Sequence, residues 1–336
     1  MVDLGLILAL GIALFFAMNI GGSGLGIAMG IPYGAGAIGK NKAMLLVALF
    51  VVLGAVLAGE GVIETVGFGI VPDELIDINI AIIILSSAAV CILITNIFGI
   101  PMSTSEVTVG ALAGVGLYFT LVVGRSQSLN VLTIAEIAGF WFFLPALSFV
   151  IAYIIRRFLY QRIIGWLTKM ELEERIKRAL DTMLITSGCY VAFSIGANNT
   201  SNAIGPLVGA GAIELVSGAL FGGLFIGVGA LIFGRRVLET TGKKIAEVCT
   251  LEAALAAFIS GTLVILASFL GIPVPLAQVV PTAIMGIGCG QEGQYTDNPN
   301  SEIWQKMVRV WLISPVVALT ISFSLMYFYG YYGGQV

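Results

Sequence analysis

The sequence predicts an all-α polytopic membrane protein with about ten transmembrane segments, arranged as two repeats of opposite topology. The first observation is composition: 58% of the 336 residues are hydrophobic and only 10% are charged. A soluble domain has about 25% charged residues. The mean hydropathy of +1.03 agrees with a membrane protein. The second observation is a series of apolar runs, and the third is an internal repeat.

The apolar runs divide the chain into ten segments, most of them near the roughly 20 residues that a helix needs to cross a bilayer. Those of the first half cover 4–30, 43–67, 75–98, 103–124 and 131–157. Those of the second half cover 182–208, 213–236, 248–270, 275–290 and 303–330. The segments at 103–124 and 275–290 are short and glycine-rich, so we expect them not to cross fully.

Basic residues give the orientation. Most lysines and arginines follow odd-numbered segments, whereas the loop after the second segment is acidic. By the positive-inside rule, both termini lie outside the cell membrane. The sequence thus predicts a first repeat at 1–158, a cytoplasmic amphipathic connector at 159–181 and a second repeat at 182–336.

An internal repeat becomes visible when the chain is shifted by 175 residues. AMNIGGSGLGIAMGIPYGAGAI (17–38) then falls on AFSIGANNTSNAIGPLVGAGAI (192–213), with ten of 22 positions identical. Each half holds five segments, an odd number, so the halves insert with opposite topology. At the same or nearby offsets VIETVG (62–67) pairs with VLETTG (237–242), GIPMSTSEV (99–107) with GIPVPLAQV (271–279), and Trp141 and Pro145 with Trp311 and Pro315.

Polar or glycine-rich stretches are expected to interrupt four segments, near 19–26, 99–105, 196–201 and 271–278. Inverted repeats with interruptions at matching positions are typical of secondary transporters. A helix that begins at membrane depth presents unpaired N–H groups and a positive dipole end, which bind oxyanions. Glycine also serves tight helix packing, the role expected for Gly34, Gly36, Gly209 and Gly211.

Two motifs resemble a known family. GANNTSNAIGPL (196–207) resembles the GANDxANAIGPL signature of the inorganic phosphate transporter (PiT) family, and GIPMSTSEV resembles its GxPxSTxxx segment. The resemblance covers nearly the whole chain. It implies a symporter with inverted repeats, a homodimer in the membrane lipid, and a tetrahedral oxyanion moved together with Na⁺ or H⁺.

The chain departs from the signature where the family has an aspartate in each repeat, because Gly24 and Asn199 stand there. Strings such as LFFAMNIGGSG and GRRVLETTGKK resemble the sulfate permease branch, which implies proton coupling. Sulfate is a fully deprotonated dianion, so a carboxylate facing it would repel it, whereas phosphate brings a proton to donate. We therefore expect sulfate import by proton symport through alternating access. A phosphate symporter coupled to H⁺ or Na⁺ and a passive oxyanion channel remain the alternatives.

Candidate substrate ligands are the polar side chains at the four interruptions. Hydroxyl groups before and within the segment at 103–124 have N-capping as an alternative role, and both roles are compatible. The second half has lost these hydroxyls, so the site is expected to be asymmetric. The candidates are Asn19, Ser23, Ser103, Thr104, Ser105, Asn198, Asn199, Thr200, Ser201, Asn202 and Gln278.

Glu106 is the first candidate for proton coupling. It adjoins the hydroxyl cluster in a segment without another charge, and an ionisable group at membrane depth is a functional hypothesis. Removal from water favours the protonated form of a carboxyl group; stabilisation of a helix N-terminus is the alternative. Glu64 and Glu239, a repeat-related pair, are further coupling candidates, although ion pairing with Arg235 or Arg236 is favoured for them.

The composition also argues against other classes of protein. The chain has no histidine and four scattered cysteines, so neither a metal site nor a Cys/His catalytic site is expected. The absence of a nucleophile–base set argues against an enzyme, and no cofactor beyond the coupling ion is expected. No basic patch with interleaved aromatic residues supports nucleic-acid binding. The repeat-related tryptophans are interpreted as anchors at the membrane interface.

Overall fold

The computed structural model describes residues 4–97, 103–169, 172–244, 250–290 and 301–333, apart from the side chains of 94–97, 240–244, 301–307 and 310. Regular structure within these ranges is helical, which confirms the predicted fold. Eight helices there are long and apolar enough to cross a membrane. They are Leu4–Gly34, Lys40–Ala58, Thr104–Val123, Val131–Thr168, Glu173–Gly209, Leu215–Ile232, Thr250–Phe269 and Trp311–Tyr331.

The helices follow the two halves of the sequence. In the first half these are α1 (Leu4–Gly34), α2 (Lys40–Ala58), α3 (Glu60–Glu64), α4 (Ile78–Ile97), α5 (Thr104–Tyr118) and α6 (Val131–Ile154). Then come α7 (Tyr160–Thr168), α8 (Glu173–Gly209), α9 (Leu215–Ile232), α10 (Gly234–Lys244), α11 (Thr250–Phe269), α12 (Leu276–Cys289) and α13 (Ser301–Tyr331). Short π-helical turns extend α3, α5 and α6 at Thr65–Gly69, Phe119–Val123 and Ile155–Leu159, and a 3₁₀ turn covers Asp73–Leu75.

The two halves interlock by exchanging partners. Helix α1 packs on α9 and its repeat counterpart α8 packs on α2, while α5 packs on α13 and its counterpart α12 packs on α6. Each kind of helix contact thus occurs twice, with the roles of the two halves exchanged. The predicted connector contains α7 and the first turns of α8, and the predicted repeat boundaries stay a prediction.

Glycines allow the closest of these contacts, and they too occur in repeat-related pairs. A methyl group added at Gly21 would lie 1.8 Å from the carbonyl oxygen of Ile226, and one at Gly196 would lie 1.9 Å from that of Val51. Both partners of the first contact are 175 residues from those of the second. Because these distances exclude any side chain, the glycines of 17–38 and 192–213 set how closely the halves approach.

Two of the glycines expected to serve packing have another role. Gly36 and Gly211 have φ angles of +73° and +64°, and a methyl group at either would meet nothing within 4 Å. The N–H of Ala37 bonds to the carbonyl of Pro32 and that of Ala212 to Leu207, as in a Schellman motif. The packing interpretation was therefore wrong for this pair: they end α1 and α8 in the left-handed conformation.

The structure also contradicts two of the four predicted interruptions. Helix α1 runs through 19–26 and α8 through 196–201 without a break. The hydroxyls of Ser23, Thr200 and Ser201 bond back to carbonyls of their own helix, so these polar side chains do not open it. The interruption at 271–278 is confirmed between α11 and α12. Of the one at 99–105, residues 99–102 lie outside the described part, and α5 begins directly after Ser103.

Candidate functional site

The candidate site lies where α5 and α12 begin. Helix α12 has 14 residues, or about 21 Å at 1.5 Å per residue, and is therefore shorter than the roughly 30 Å hydrocarbon core. The hydroxyl of Ser105 donates to the carbonyl oxygen of Val274 over 3.3 Å, so the first turn of α5 adjoins the segment that leads into α12. Two repeat-related helix N-termini thus meet.

A cavity of about 40 Å³ lies between these N-termini, enough for a few water-sized groups. We refer to it as the α5–α12 cavity. Helices α1, α5, α8 and α12 each contribute to its wall, so both repeats form it. Its described lining is uncharged and comprises Ile20, Ser23, Gly24, Ile27, Ser103, Thr104, Ser105, Asn199, Val274, Leu276 and Ala277.

The hydroxyls of Ser23 and Ser105 donate to backbone carbonyls. Backbone N–H groups add to the remaining hydroxyls and the amide of this lining. The first N–H groups of a helix have no partner within it. In α5, Ser103 caps the helix by accepting from the N–H of Glu106, and in α12 the N–H of Gln278 bonds to Pro275. The residues before these two, Thr104 and Ser105 in α5 and Leu276 and Ala277 in α12, line the cavity. The cavity therefore combines hydrogen-bond donors with the positive ends of two helix dipoles, which suits an anion.

Asn198 does not line the cavity but holds one of its walls. Its amide nitrogen donates to the carbonyl of Ile272 and to the hydroxyl of Ser268, both over 3.0 Å, and its oxygen accepts from the N–H of Val274 at 2.9 Å. The side chain is fully buried. Asn198 thus fixes the extended segment before α12 to helix α8.

Asn202, one turn later, connects α8 to α5. Its amide nitrogen donates to the hydroxyls of Thr104 at 3.1 Å and Ser105 at 3.2 Å. Its side-chain oxygen is buried and has no hydrogen-bond partner among the described residues. This oxygen could accept from a water molecule or contribute to a cation site, although one unpaired oxygen does not define such a site.

Glu106 lies on another side of α5 and is absent from the described lining of the α5–α12 cavity. The residue is 1% exposed, and its carboxyl accepts hydrogen bonds from the amide of Gln278 and, at 2.7 Å, from the hydroxyl of Ser314. Ser314 is not among the site residues that the sequence predicts. Its repeat counterpart is Leu144, so a hydroxyl that replaces an aliphatic residue at a buried position was the available signal.

Glu106 faces a second cavity of about 170 Å³, which we call the tryptophan cavity. Two repeat-related pairs line it, one of them Glu106 with Gln278 and the other the two tryptophans. Its described lining comprises Glu106, Trp141, Phe142, Pro145, Gln278, Val308, Trp311 and Leu312. The half-buried Trp141 donates its indole N–H to the carbonyl of Pro273 over 3.0 Å, and its role as an interface anchor stays a prediction.

The structure places the remaining candidates away from the α5–α12 cavity. Asn19 donates to the carbonyl of Phe15 and lines a separate small cavity with apolar residues. Thr200 and Ser201 bond to carbonyls of α8. Glu239 pairs with Lys40, which joins α10 to α2, whereas Glu64 is exposed at the end of α3.

The family is decided by comparison with known proteins. The model of the phosphate transporter family matches residues 20–322. The chain belongs to this family. It is 42% identical over 320 residues to the sulfate permease CysP of Bacillus subtilis (strain 168), covering 94% of this chain and 85% of that protein.

Two further matches of this phosphate transporter family member have lower identity. Inorganic phosphate transporter 2-1, chloroplastic, of Arabidopsis thaliana is 25% identical, with 92% of this chain and 69% of that protein covered. A solved structure, the sodium-dependent phosphate transporter, superposes with a TM-score of 0.84 at 23% identity, covering 98% of this chain and all of that one. It has the same fold. The matched proteins are permeases and transporters rather than enzymes.

Proposed function

We propose that the protein imports sulfate by proton symport through alternating access. The observation on which this rests is the α5–α12 cavity, whose described lining offers the hydroxyls of Ser103 and Thr104, the amide of Asn199 and helix N-termini but no charged side chain. An anion that brings no proton of its own needs donors and is repelled by carboxylates. The cavity fits sulfate in both respects.

The two positions at which the chain departs from the family signature support this proposal. Gly24 and Asn199 both line the cavity, although they come from different repeats. An aspartate at either position would add a negative charge to the wall. The 42% identical relative, which is named as a sulfate permease, favours the same substrate.

Alternating access would open the cavity to each side in turn by movement of one set of helices against the other. The repeat-related packing of α5 on α13 and of α12 on α6 gives two equivalent surfaces for such a movement. A cell-membrane location with both termini outside, a homodimer and H⁺ as the coupling ion belong to the proposal. Na⁺ is the alternative ion.

Uptake of radiolabelled sulfate into proteoliposomes tests the proposal. A pH gradient and a Na⁺ gradient are imposed separately, with and without excess phosphate. We expect accumulation that needs the pH gradient and is insensitive to phosphate. An uncoupler that dissipates the pH gradient should abolish it.

The other outcomes would identify the alternatives. The family and the solved sodium-dependent phosphate transporter make phosphate the second candidate substrate. Competition by phosphate, or accumulation that follows Na⁺, would favour a phosphate symporter. Sulfate that only equilibrates under both gradients would indicate a passive channel.

A further inference from the structure

We propose that Glu106 binds the coupling proton in the tryptophan cavity, separately from the transported anion, and controls the anion through the charge that it places behind the two helix N-termini. This inference rests on the proposed proton symport. It adds the position of the proton site and the way in which the two sites communicate. The first support is that the described linings of the two cavities share no residue.

The two sites are nevertheless adjacent in the chain. Glu106 follows Ser105, which lines the α5–α12 cavity, and Gln278 follows Ala277, which lines it as well. The first turns of α5 and α12 therefore present anion-binding groups on one side and the Glu106–Gln278 hydrogen bond on another. A charge on Glu106 therefore lies in the same first turn of α5 as Thr104 and Ser105, which line the α5–α12 cavity.

The hydrogen bonds specify which oxygen of Glu106 takes the proton. With the amide of Gln278 oriented as in this structure, its nitrogen donates to Oε1, which therefore remains an acceptor. The hydroxyl of Ser314 donates to Oε2 but can rotate and accept instead. A proton from water therefore binds at Oε2, which then donates to Ser314 and returns the proton to water on release. The contact between α5 and α12 is kept in both states.

Protonation then couples to sulfate by electrostatics. The carboxylate form places a negative charge near the cavity and opposes the dipole that attracts the anion. The neutral acid removes this repulsion, so sulfate binds more tightly when Glu106 is protonated. By reciprocity sulfate also favours the protonated form. The pair therefore binds and leaves together, as symport requires.

Other charged groups on the helices around Glu106 do not line the tryptophan cavity in the described part of the chain. On α6 the charged residue before Trp141 is Glu136, which is exposed, and on α13 the described one is Arg309. Helix α12 carries none, and Glu252 of the adjoining α11 pairs with Arg156. Glu106 is thus the titratable group to which a pH effect on this site is assigned.

The test compares sulfate affinity across pH for purified wild type, Glu106→Gln and the control Glu136→Gln. In wild type and control we expect the dissociation constant for sulfate to rise about tenfold from acidic to alkaline pH. Glu106→Gln imitates the neutral acid and should bind at the acidic-pH affinity throughout, exchange sulfate for sulfate across a membrane, and fail to accumulate it under a pH gradient. Loss of binding and exchange in a folded Glu106→Gln protein would overturn the proposal, as would an unchanged pH dependence.

A carboxyl swap tests the paired geometry. Glu106→Gln combined with Gln278→Glu moves the carboxyl to its repeat-related position in the same cavity, and should restore pH-dependent binding that the single substitution removes. A folded double variant without pH dependence would overturn the equivalence. Tryptophan fluorescence should change with pH in the wild type and in the swap, and less in Glu106→Gln. Wild type that fails to accumulate sulfate would instead refute the proposed function.

Discussion

Asn199 lines the α5–α12 cavity at a position where the signature of the family has an aspartate. Asn199→Asp adds a carboxylate without a change in size, so a lower sulfate affinity would come from charge. At an effective dielectric constant near 20, unit charges about 4 Å apart interact by about 4 kcal/mol. We expect the KM for sulfate to rise at least about tenfold, since every 1.4 kcal/mol is a factor of ten, as measured by proteoliposome uptake. Thr200→Val on the same helix is the control, and equal KM values for both variants would contradict a neutral anion site.

Asn198 is a positioning residue, because it holds the segment before α12 without lining the cavity. Asn198→Ala leaves the buried N–H of Val274 without its 2.9 Å acceptor, at a cost of about 1–3 kcal/mol. We expect lower thermal stability together with a raised KM for sulfate. Thr200→Val, which removes only a bond to a carbonyl of its own helix, should change both much less. Normal sulfate affinity in a destabilised Asn198→Ala would show that this segment does not shape the site.

At the scale of the helices, the sequence predicts which residues belong to the candidate site but not how the helices arrange them. The polar cluster at 196–202 was expected to break a helix, yet α8 is continuous and distributes the cluster by its period of 3.6 residues per turn. Asn198 bonds to the segment before α12 and Asn202, four residues later, bonds to α5. Asn199 lines the cavity, and Thr200 bonds to a carbonyl of its own helix. A Ser or Thr whose hydroxyl bonds to its own helix is the same residue type in the sequence as one that binds a ligand. Only the packed structure distinguishes the two.

The contact of α1 with α9, and that of α8 with α2, depends on a missing side chain. In Gly21→Ala and Gly196→Ala the new methyl group would lie within 2 Å of a backbone carbonyl oxygen, so a helix has to shift. Overpacking costs about 1–3 kcal/mol or more. We therefore expect both variants to lower the melting temperature in detergent, and the two decreases to be similar. Gly139→Ala in α6 meets nothing within 4 Å and should be neutral or slightly stabilising. If all three variants melted alike, these glycines would not set the helix spacing.

Over the whole molecule, the contacts of one half are repeated by the other. A methyl group at Gly114 would meet the carbonyl oxygen of Leu319 at 2.3 Å, and one at Gly286 that of Phe149 at 2.2 Å. These partners have the repeat offsets seen in the sequence, which explains why a comparison of the chain with itself predicted the architecture. The repeat offset does not predict the role of residues such as Ser314, whose counterpart in the other half is a different residue type. The function we propose depends on those differences. The hydroxyls at the start of α5 have no counterpart on α12, and the carboxyl of Glu106 has an amide, that of Gln278, as its counterpart.

The charge distribution predicts an orientation of the molecule that can be measured directly. The turn before α6 and the connector after it lie at opposite ends of a helix long enough to cross the membrane, and basic residues are concentrated in the connector. The positive-inside rule therefore places Gln127, which is exposed in the turn, outside the cell, and Lys169, exposed after α7, in the cytoplasm. In a background without the four native cysteines, Gln127→Cys should react with an impermeant maleimide on intact cells. Lys169→Cys should react only after the cells are permeabilised. The reverse labelling pattern would place both termini inside and would mean that the basic loops do not set the topology.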